Sequence, residues 1–388
     1  MLALKLLFWV SLFLISYNYV LFPLIVQRLA KSKAPNNLIF LESELPEISI
    51  LMAAHNEEKV IEEKIRSIFN ARYPLEKIEL LIGSDHSTDA TNQIVQRLQQ
   101  EFPQITLFPF TQRTGKIGII NQLAEKAKHG IFILTDANVM LNQHTLFELV
   151  KHFKNEEIGL VDSRMTNYNL KKDGISFQEK TYISFEGLTK MAEGKLWGTM
   201  MGPFGGCFAM RKSLFEPVPL HFLVDDFYLN MLVLSKNKKC INEPLAVVYE
   251  DVSNQMGIEF RRKKRISAGN FQNLFHFSRL LLRFDSVAFC FLSHKVIRWK
   301  TPFLLLIMLG VLPFLWQQSK IYQILLLFIG LLGMIVVLEL ILSRLKINLG
   351  PVRFLTHFAA MNLALLAGFF QFCGGIQSSI WNPTERHQ

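Results

Sequence analysis

The sequence predicts an α/β protein whose mostly parallel sheet is covered on both faces and held between apolar helices at its two ends. Three observations lead there. Apolar residues pile up near both ends of the 388-residue chain, from Leu6 to Val26 and from Pro302 onward. Between them, short continuous apolar runs alternate with helical stretches, the pattern of buried parallel strands and their crossover helices. Acidic residues stand directly after three of those strands, where open α/β sheets bind their ligands. Composition agrees, with half of the residues hydrophobic and only 19% charged, against about 25% in an ordinary soluble domain. A disordered chain, a disulfide-stapled secreted module and a conventional soluble enzyme are thereby excluded. Cys207, Cys240, Cys290 and Cys373 show neither CxxC spacing nor a histidine at ligand distance, so structural zinc is not expected.

Leu6–Val26 is nearly uncharged and, at about 1.5 Å per residue, long enough for a ~30 Å bilayer core. It ends in Gln27-Arg28, Lys31 and Lys33 rather than in a small-residue cleavage site, so residues 1–28 read as an uncleaved anchor and not a signal peptide. Only Lys5 precedes the span, and the positive-inside rule places the following domain in the cytoplasm, at an inner or plasma membrane. That domain occupies residues 40–268. Its expected strands are 48–53, 78–82, 105–108 and 131–134. Its expected helices are 57–69, 89–98, 116–128 and 227–234.

Residues 269–300 form a region in which Asn270–Phe291 mixes Phe and Leu with His276, Arg279 and Arg283, as in a helix lying on the inner leaflet. Within 301–376, Pro302–Trp316 and Ile321–Leu342 read as a membrane hairpin. Phe354–Phe372 either crosses or lies along the interface, and the pattern allows both. A tail, 377–388, follows. The formal charge of +10, beside apolar spans, points to anionic lipid headgroups or phosphorylated substrates rather than to nucleic acid.

The strand ends carry the chemistry. His55-Asn56-Glu57-Glu58 follows the first strand, Ser84-Asp85-His86-Ser87-Thr88-Asp89 the second, and Asp136-Ala137-Asn138 the fourth. Any one acid could simply cap a helix, the plainer reading for Glu57 and Asp89 taken singly. Three together, one of them Asp-x-Asn, point to a nucleotide and a hard cation. A carboxylate with an amide oxygen suits Mg²⁺ or Mn²⁺ bridging a diphosphate.

These segments, with Gly115-Lys116 and Asn121, Gly205–Arg211, Asp225-Asp226-Phe227, Arg261–Arg265 and Trp381–Arg386, resemble the family-2 inverting glycosyltransferases of GT-A fold, a Rossmann-like α/β architecture. The layout is similar to that of membrane-integrated members such as cellulose, chitin and hyaluronan synthases, and the likeness covers nearly the whole chain. It implies roles. Asp85 would contact the donor's base and Glu57 its ribose or base. Asp136 and Asn138 would hold the metal, and Lys116 would sit near the diphosphate, unless it is only a solvated lysine at a helix start. Asp226 would be the general base, with a helix cap as the alternative, and Asp225 would be structural or on the acceptor side. Arg262 and Arg265 would grip the departing pyrophosphate, while Arg261, Lys263 and Lys264 could simply face anionic lipid. Trp381, Trp197 or Trp299 could supply an aromatic platform, with Trp381 assigned to the acceptor side.

Three positions depart from that family's pattern. Asn138 replaces a second metal-binding Asp and removes one negative charge. His86 stands where Gly is usual, so its backbone is expected to avoid positive φ. Ile266 replaces the Trp that stacks on the acceptor sugar in processive synthases. The expected function is transfer of a hexosyl or N-acetylhexosaminyl group from a nucleotide sugar to a hydroxyl of a lipid or glycan. UDP is the family's commonest nucleotide, and nothing in the residues opposes GDP. The alternatives are a processive synthase that extrudes its product, a catalytically weakened partner protein that binds sugar nucleotides, and a nucleotidyltransferase, which would want a Gly-rich loop that His55–Glu58 is not. Donor, acceptor and membrane lipids are the expected partners; the sequence does not address oligomeric state.

Overall fold

A computed structural model describes residues 1–33, 36–168, 176–251, 256–345 and 350–376. Eight strands form one sheet: β1 (Ile48–Ala54), β2 (Ile78–Asp85), β3 (Ile105–Phe110), β4 (Ile131–Thr135), β5 (Val139–Leu141), β6 (Ile158–Tyr168), β7 (Cys207–Arg211) and β8 (Lys239–Asp251). Their order is β3-β2-β1-β4-β7-β6-β8-β5. The four strands read from sequence pair in parallel. Every residue of β1, β2 and β4 is buried, as continuous apolar runs require when both faces are covered. The far half is mixed: β7 runs antiparallel to β4 and β6, β8 lies parallel to β6, and β5 is antiparallel to β8.

Alternate residues of β1 divide the core. Ile48, Ile50, Met52 and Ala54 pack with Ile61, Ile65 and Ile68 of the helix Ile61–Phe69 and with Val95 and Leu98 of Thr91–Glu101. Leu51 and Ala53 face the helix Gly115–Lys126 through Ile117, Ile120 and Leu123. The first two helices begin later than their patterns suggested, because side chains claim the intervening backbone. The Thr91 hydroxyl accepts the Glu57 N–H at 2.9 Å, and Asp89 Oδ1 accepts the Thr91 N–H at 3.0 Å. His86 has φ 55°, contrary to the expectation that a non-glycine would avoid it. Its N–H is anchored to the Ser84 carbonyl at 3.0 Å, and His is among the residues that tolerate the left-handed region at modest cost.

Four described helices are long and apolar enough to cross a membrane: Leu2–Ala30, Ser286–Leu315, Lys320–Ser343 and Gly350–Cys373. The stretch 270–291, expected as one helix on the leaflet, is divided in three. It begins as the tail of Met256–His276 (here the basic helix), passes a 3-10 turn at Ser278–Leu282 and enters the Ser286–Leu315 helix. The break has a cause: Phe284 turns at φ 53°, and Asp285 caps the new helix by accepting the Ala288 N–H at 2.9 Å. The feet of these helices share the core of the sheet domain, since Phe22, Val26, Phe291, Val296 and Trp299 pack with Phe208, Met210 and Phe227.

Two π-helical turns face each other at that junction, Tyr17–Leu21 and Phe291–Val296. A π turn frees carbonyls from the regular helical ladder, and in an apolar setting they need donors. Asn18 supplies them, donating to the carbonyls of Ser293 at 2.5 Å and His294 at 3.2 Å.

Candidate active site

Strand ends, loops and five helices converge on a cavity of about 880 Å³. Glu57, Lys116, Asp136, Asn138, Asp225, Asp226, Arg262 and Arg265 all line it. Asp136 leaves the end of β4, with its N–H held by the Gly206 carbonyl at 3.0 Å. Lys116, in the first turn of Gly115–Lys126, reaches Asp136 Oδ1 at 2.8 Å and Asp225 Oδ2 at 3.6 Å. Burial works against the charge on Lys116, but the carboxylates of Asp136 and Asp225 outweigh it and hold its pKa above the ordinary lysine value. It is thus no solvated lysine at a helix start, as the plainer reading had it. It joins a strand end to a helix start.

Asp225 and Asp226 open the helix Asp225–Ser235, where the helix dipole favours negative charge. Asp226 Oδ1 accepts the Phe227 N–H at 2.7 Å. Burial first, and then the neighbouring charge of Asp225, push the Asp226 carboxyl up to about 6. A carboxylate tuned toward neutrality can accept a proton at physiological pH. Gly205, at φ 86°, passes directly beneath it; a Cβ there would lie 2.3 Å from Asp226 Oδ2. The geometry of Asp226 therefore requires glycine at 205.

The basic helix presents Arg262 and Arg265. Arg262 has a loose ion pair with Glu259 at 3.6 Å, and Arg265 donates to the Leu223 carbonyl at 3.2 Å. Burial and then the charge of Arg262 lower the pKa of Arg265, whereas the burial of Arg262 is outweighed by Glu259 and Glu250, which raise its pKa, so Arg265 is the guanidinium short of negative charge. A diphosphate would supply it. Lys263 instead turns to Glu179 at 2.7 Å.

Asp85 and Trp381 stand apart from this group. Asp85 is fully buried at the end of β2, and its carboxylate accepts Arg113 Nε at 3.0 Å and the N–H groups of Thr114 and Gly115 at 2.6 and 3.1 Å. It shapes the start of the Lys116 helix. Trp381 lies outside the described residues. Of the other tryptophans, Trp299 lines the cavity, as does Ile266, while Trp197 packs edge-on against Phe289. The cysteines are all free.

Two features escaped the sequence reading. Lys64 is fully buried beneath the Asp136 loop. Its ammonium donates to the Thr135 hydroxyl at 2.7 Å and to the Val139 carbonyl, and so ties down both sides of Asp136-Ala137-Asn138. Burial pulls its pKa to about 8, against the attraction of Cys207 and Asp136. The signal was present, because 61, 64, 65 and 68 share the buried face of a 3.6-residue period. The second is the helix Ser176–Trp197 (here the bridging helix), whose Glu179, Glu186 and Glu193 recur every seventh residue and are all buried. Heptad spacing of acids on one face indicates a polar stripe turned inward.

Comparison with known proteins follows the same lines. Residues 49–218 match the family described as Glycosyl transferase family 2. The chain carries a family-2 glycosyltransferase domain. It is 25% identical over 235 residues to the "Probable glycosyltransferase YdaM" of Bacillus subtilis, covering 58% of this chain and 56% of that protein. It is 26% identical over 249 residues to the "Beta-monoglucosyldiacylglycerol synthase" of a Nostoc species, covering 63% and 53%. The chain thus spans little more than half the length of these relatives. Among solved structures, the mannosyltransferase PcManGT from Pyrobaculum calidifontis, in complex with GDP-Man and Mn2+, superposes with a TM-score of 0.70 at 21% identity, over 95% of this chain and 99% of that one. That likeness extends the shared fold from the GT-A sheet to the flanking helices.

Two substitutions check the site geometry. Lys64→Met removes the ammonium that bonds Thr135 and the Val139 carbonyl, so the fold should lose about 1–3 kcal/mol by denaturant unfolding. Mn²⁺ affinity, from titration of the free-ion EPR signal with UDP or GDP present, should fall by roughly ten-fold, as for other residues that orient metal ligands. Gly205→Ala should displace the Asp226 carboxylate and lower turnover by about 100-fold, with secondary structure by circular dichroism unchanged.

Proposed function

We propose that the protein is an inverting glycosyltransferase moving a sugar from a nucleotide-sugar donor to a hydroxyl of a membrane lipid at the cytoplasmic face. The observation that carries this reading is that one cavity joins the strand-end acids, Asp226 and the arginines to residues of the membrane-length helix Ser286–Leu315. Relatives named for glycolipid and polysaccharide synthesis support a sugar-transferring activity. The absence of an aromatic side chain at Ile266 favours single transfer over polymer extension.

In this reading the residues lining the cavity divide the work. Asp136 and Asn138 offer hard oxygen donors, with the Asp136 carboxylate about one-third exposed. Mg²⁺ and Mn²⁺ are commonly held by one or two such ligands together with phosphate oxygens, so the donor set fits. The bound GDP-Man and Mn²⁺ of the Pyrobaculum enzyme agree with it. The ion, when bound, supplies positive charge to the diphosphate. Lys116 is already beside Asp136 and adds its own charge there. Arg262 and Arg265 receive the diphosphate as its bond to the sugar breaks. Asp226 takes the proton of the acceptor hydroxyl as its oxygen attacks the anomeric carbon from the face opposite the leaving group. The outcome is inversion.

Asp226→Asn should leave nucleotide binding intact by calorimetry and lower transfer by about 10²- to 10⁴-fold; undiminished transfer would remove Asp226 as the base. Because the base must be ionised and its pKa is raised to about 6, transfer should climb with pH through that value and level off above it. A rate flat between pH 5 and 8 would be the signature of an ordinary aspartate.

A further inference from the structure

The cavity that Asp226 lines is also walled by the bridging helix and by the long apolar helix Ser286–Leu315. To that wall the first gives Tyr182, Glu186 and Lys190 and the second Lys295, Arg298 and Trp299. Ionisable side chains on a membrane helix are costly and face functional cavities far more often than lipid. These are bound into a network. Glu186 accepts Lys295 at 2.5 Å and pairs with Arg298, and His294 lies 3.0 Å from Glu186 and 2.7 Å from Glu193. Arg298 Nε donates to Asn18 at 3.1 Å, the residue that also satisfies the facing π turn. Lys190 pairs with Asp162 at 3.5 Å and sits 3.4 Å over the Phe204 ring.

Three features of this wall decide what it can hold. Lys190 is paired with Asp162, while Lys295 and Arg298 share Glu186, so a phosphate placed there would meet cations already engaged and the Glu186 carboxylate between them. That differs from Arg265, which donates to the Leu223 carbonyl and, among the described residues, is in no direct ion pair. Matched acids and cations beside the Tyr182 hydroxyl instead offer both acceptors and donors, which is what a hydroxylated group requires. Trp299 adds an aromatic wall. Independently, Asp226 lines the same cavity as a carboxylate able to take a proton. A phosphate acceptor already offers an anionic oxygen at neutral pH and needs no base, whereas an alcohol must lose its proton. Finally, half of this wall belongs to a helix long and apolar enough to cross the membrane, so a ligand with a lipid tail can reach it from the bilayer.

We propose that this wall forms a headgroup subsite for a lipid whose acceptor group is uncharged and hydroxylated, a glycerol or a sugar, rather than a lipid phosphate. The inference rests on the transferase reading above. In the step it implies, the acceptor O–H proton passes to Asp226 and the acceptor oxygen bonds to the anomeric carbon. The anomeric C–O bond to the diphosphate breaks, and the nucleoside diphosphate leaves with the electron pair.

The test uses the full chain in nanodiscs with Mn²⁺. A panel of nucleotide sugars is first screened for donor hydrolysis without acceptor, and the donor consumed is then offered diacylglycerol, a glycosyl-diacylglycerol or a polyprenyl phosphate. Transfer to either neutral lipid and not to polyprenyl phosphate is expected. Tyr182→Phe and Lys295→Gln should each raise the acceptor KM by roughly five- to ten-fold, the loss of one hydrogen bond, with kcat little changed. A role confined to holding the helices together would move thermal stability and leave that KM where it is. Transfer to polyprenyl phosphate alone, or an unaltered acceptor KM in both variants, overturns the subsite. Hydrolysis of no nucleotide sugar at all overturns the transferase reading itself, and the subsite with it.

Discussion

The site depends on an electrostatic constraint. Carboxylates at a strand end and a helix start are brought face to face in a partly enclosed cavity, and they repel one another unless something stands between them. Lys116 does, touching Asp136 on one side and Asp225 on the other. The position of Lys116 is fixed in turn from below, where buried Asp85 gathers the first backbone N–H groups of the same helix. Lys64 clamps the Asp136 loop on the opposite flank. A divalent cation and diphosphate entering this arrangement would meet ligands already held in place, so little reorganisation is left for the moment of reaction.

The same logic extends into the membrane helices. Asn18 ties two π turns together, and Glu186 and Glu193 hold a histidine, a lysine and an arginine against the bridging helix. These contacts, with the apolar packing of Phe22, Phe291 and Trp299 into the sheet domain, make the cavity one space rather than a soluble pocket beside a separate anchor. A buried ion pair contributes little net stability by itself. Its value here is placement: it fixes polar groups in the cavity that Asp226 also lines.

Much of this was legible in the residues. The strands β1 to β4 are continuous apolar runs, and acids stand after three of them, the ends at which open α/β sheets bind ligands. Asp136, Asn138, Asp225 and Asp226 could be read in this way because chemistry at strand and helix ends is local in sequence. Contacts made across the fold were less visible. Asp85 was read as facing the donor, but its burial depends on Arg113 and a helix start some thirty residues on. His86 adopts a left-handed conformation that its side chain alone would disfavour, because the surrounding turn fixes it. Lys64 and the heptad of glutamates carried a periodic signal, yet their partners come from elements distant in the chain. The mixed half of the sheet needed the pairing of β6, β7 and β8, which no local pattern encodes.

The account's central claim is a single displacement assisted by Asp226, and product stereochemistry tests it most directly. The glycolipid formed from an α-linked nucleotide sugar should show, by the one-bond and vicinal couplings of its anomeric proton in NMR, a β linkage. An α-linked product would mean retention, and would contradict both the single displacement and the role given to Asp226.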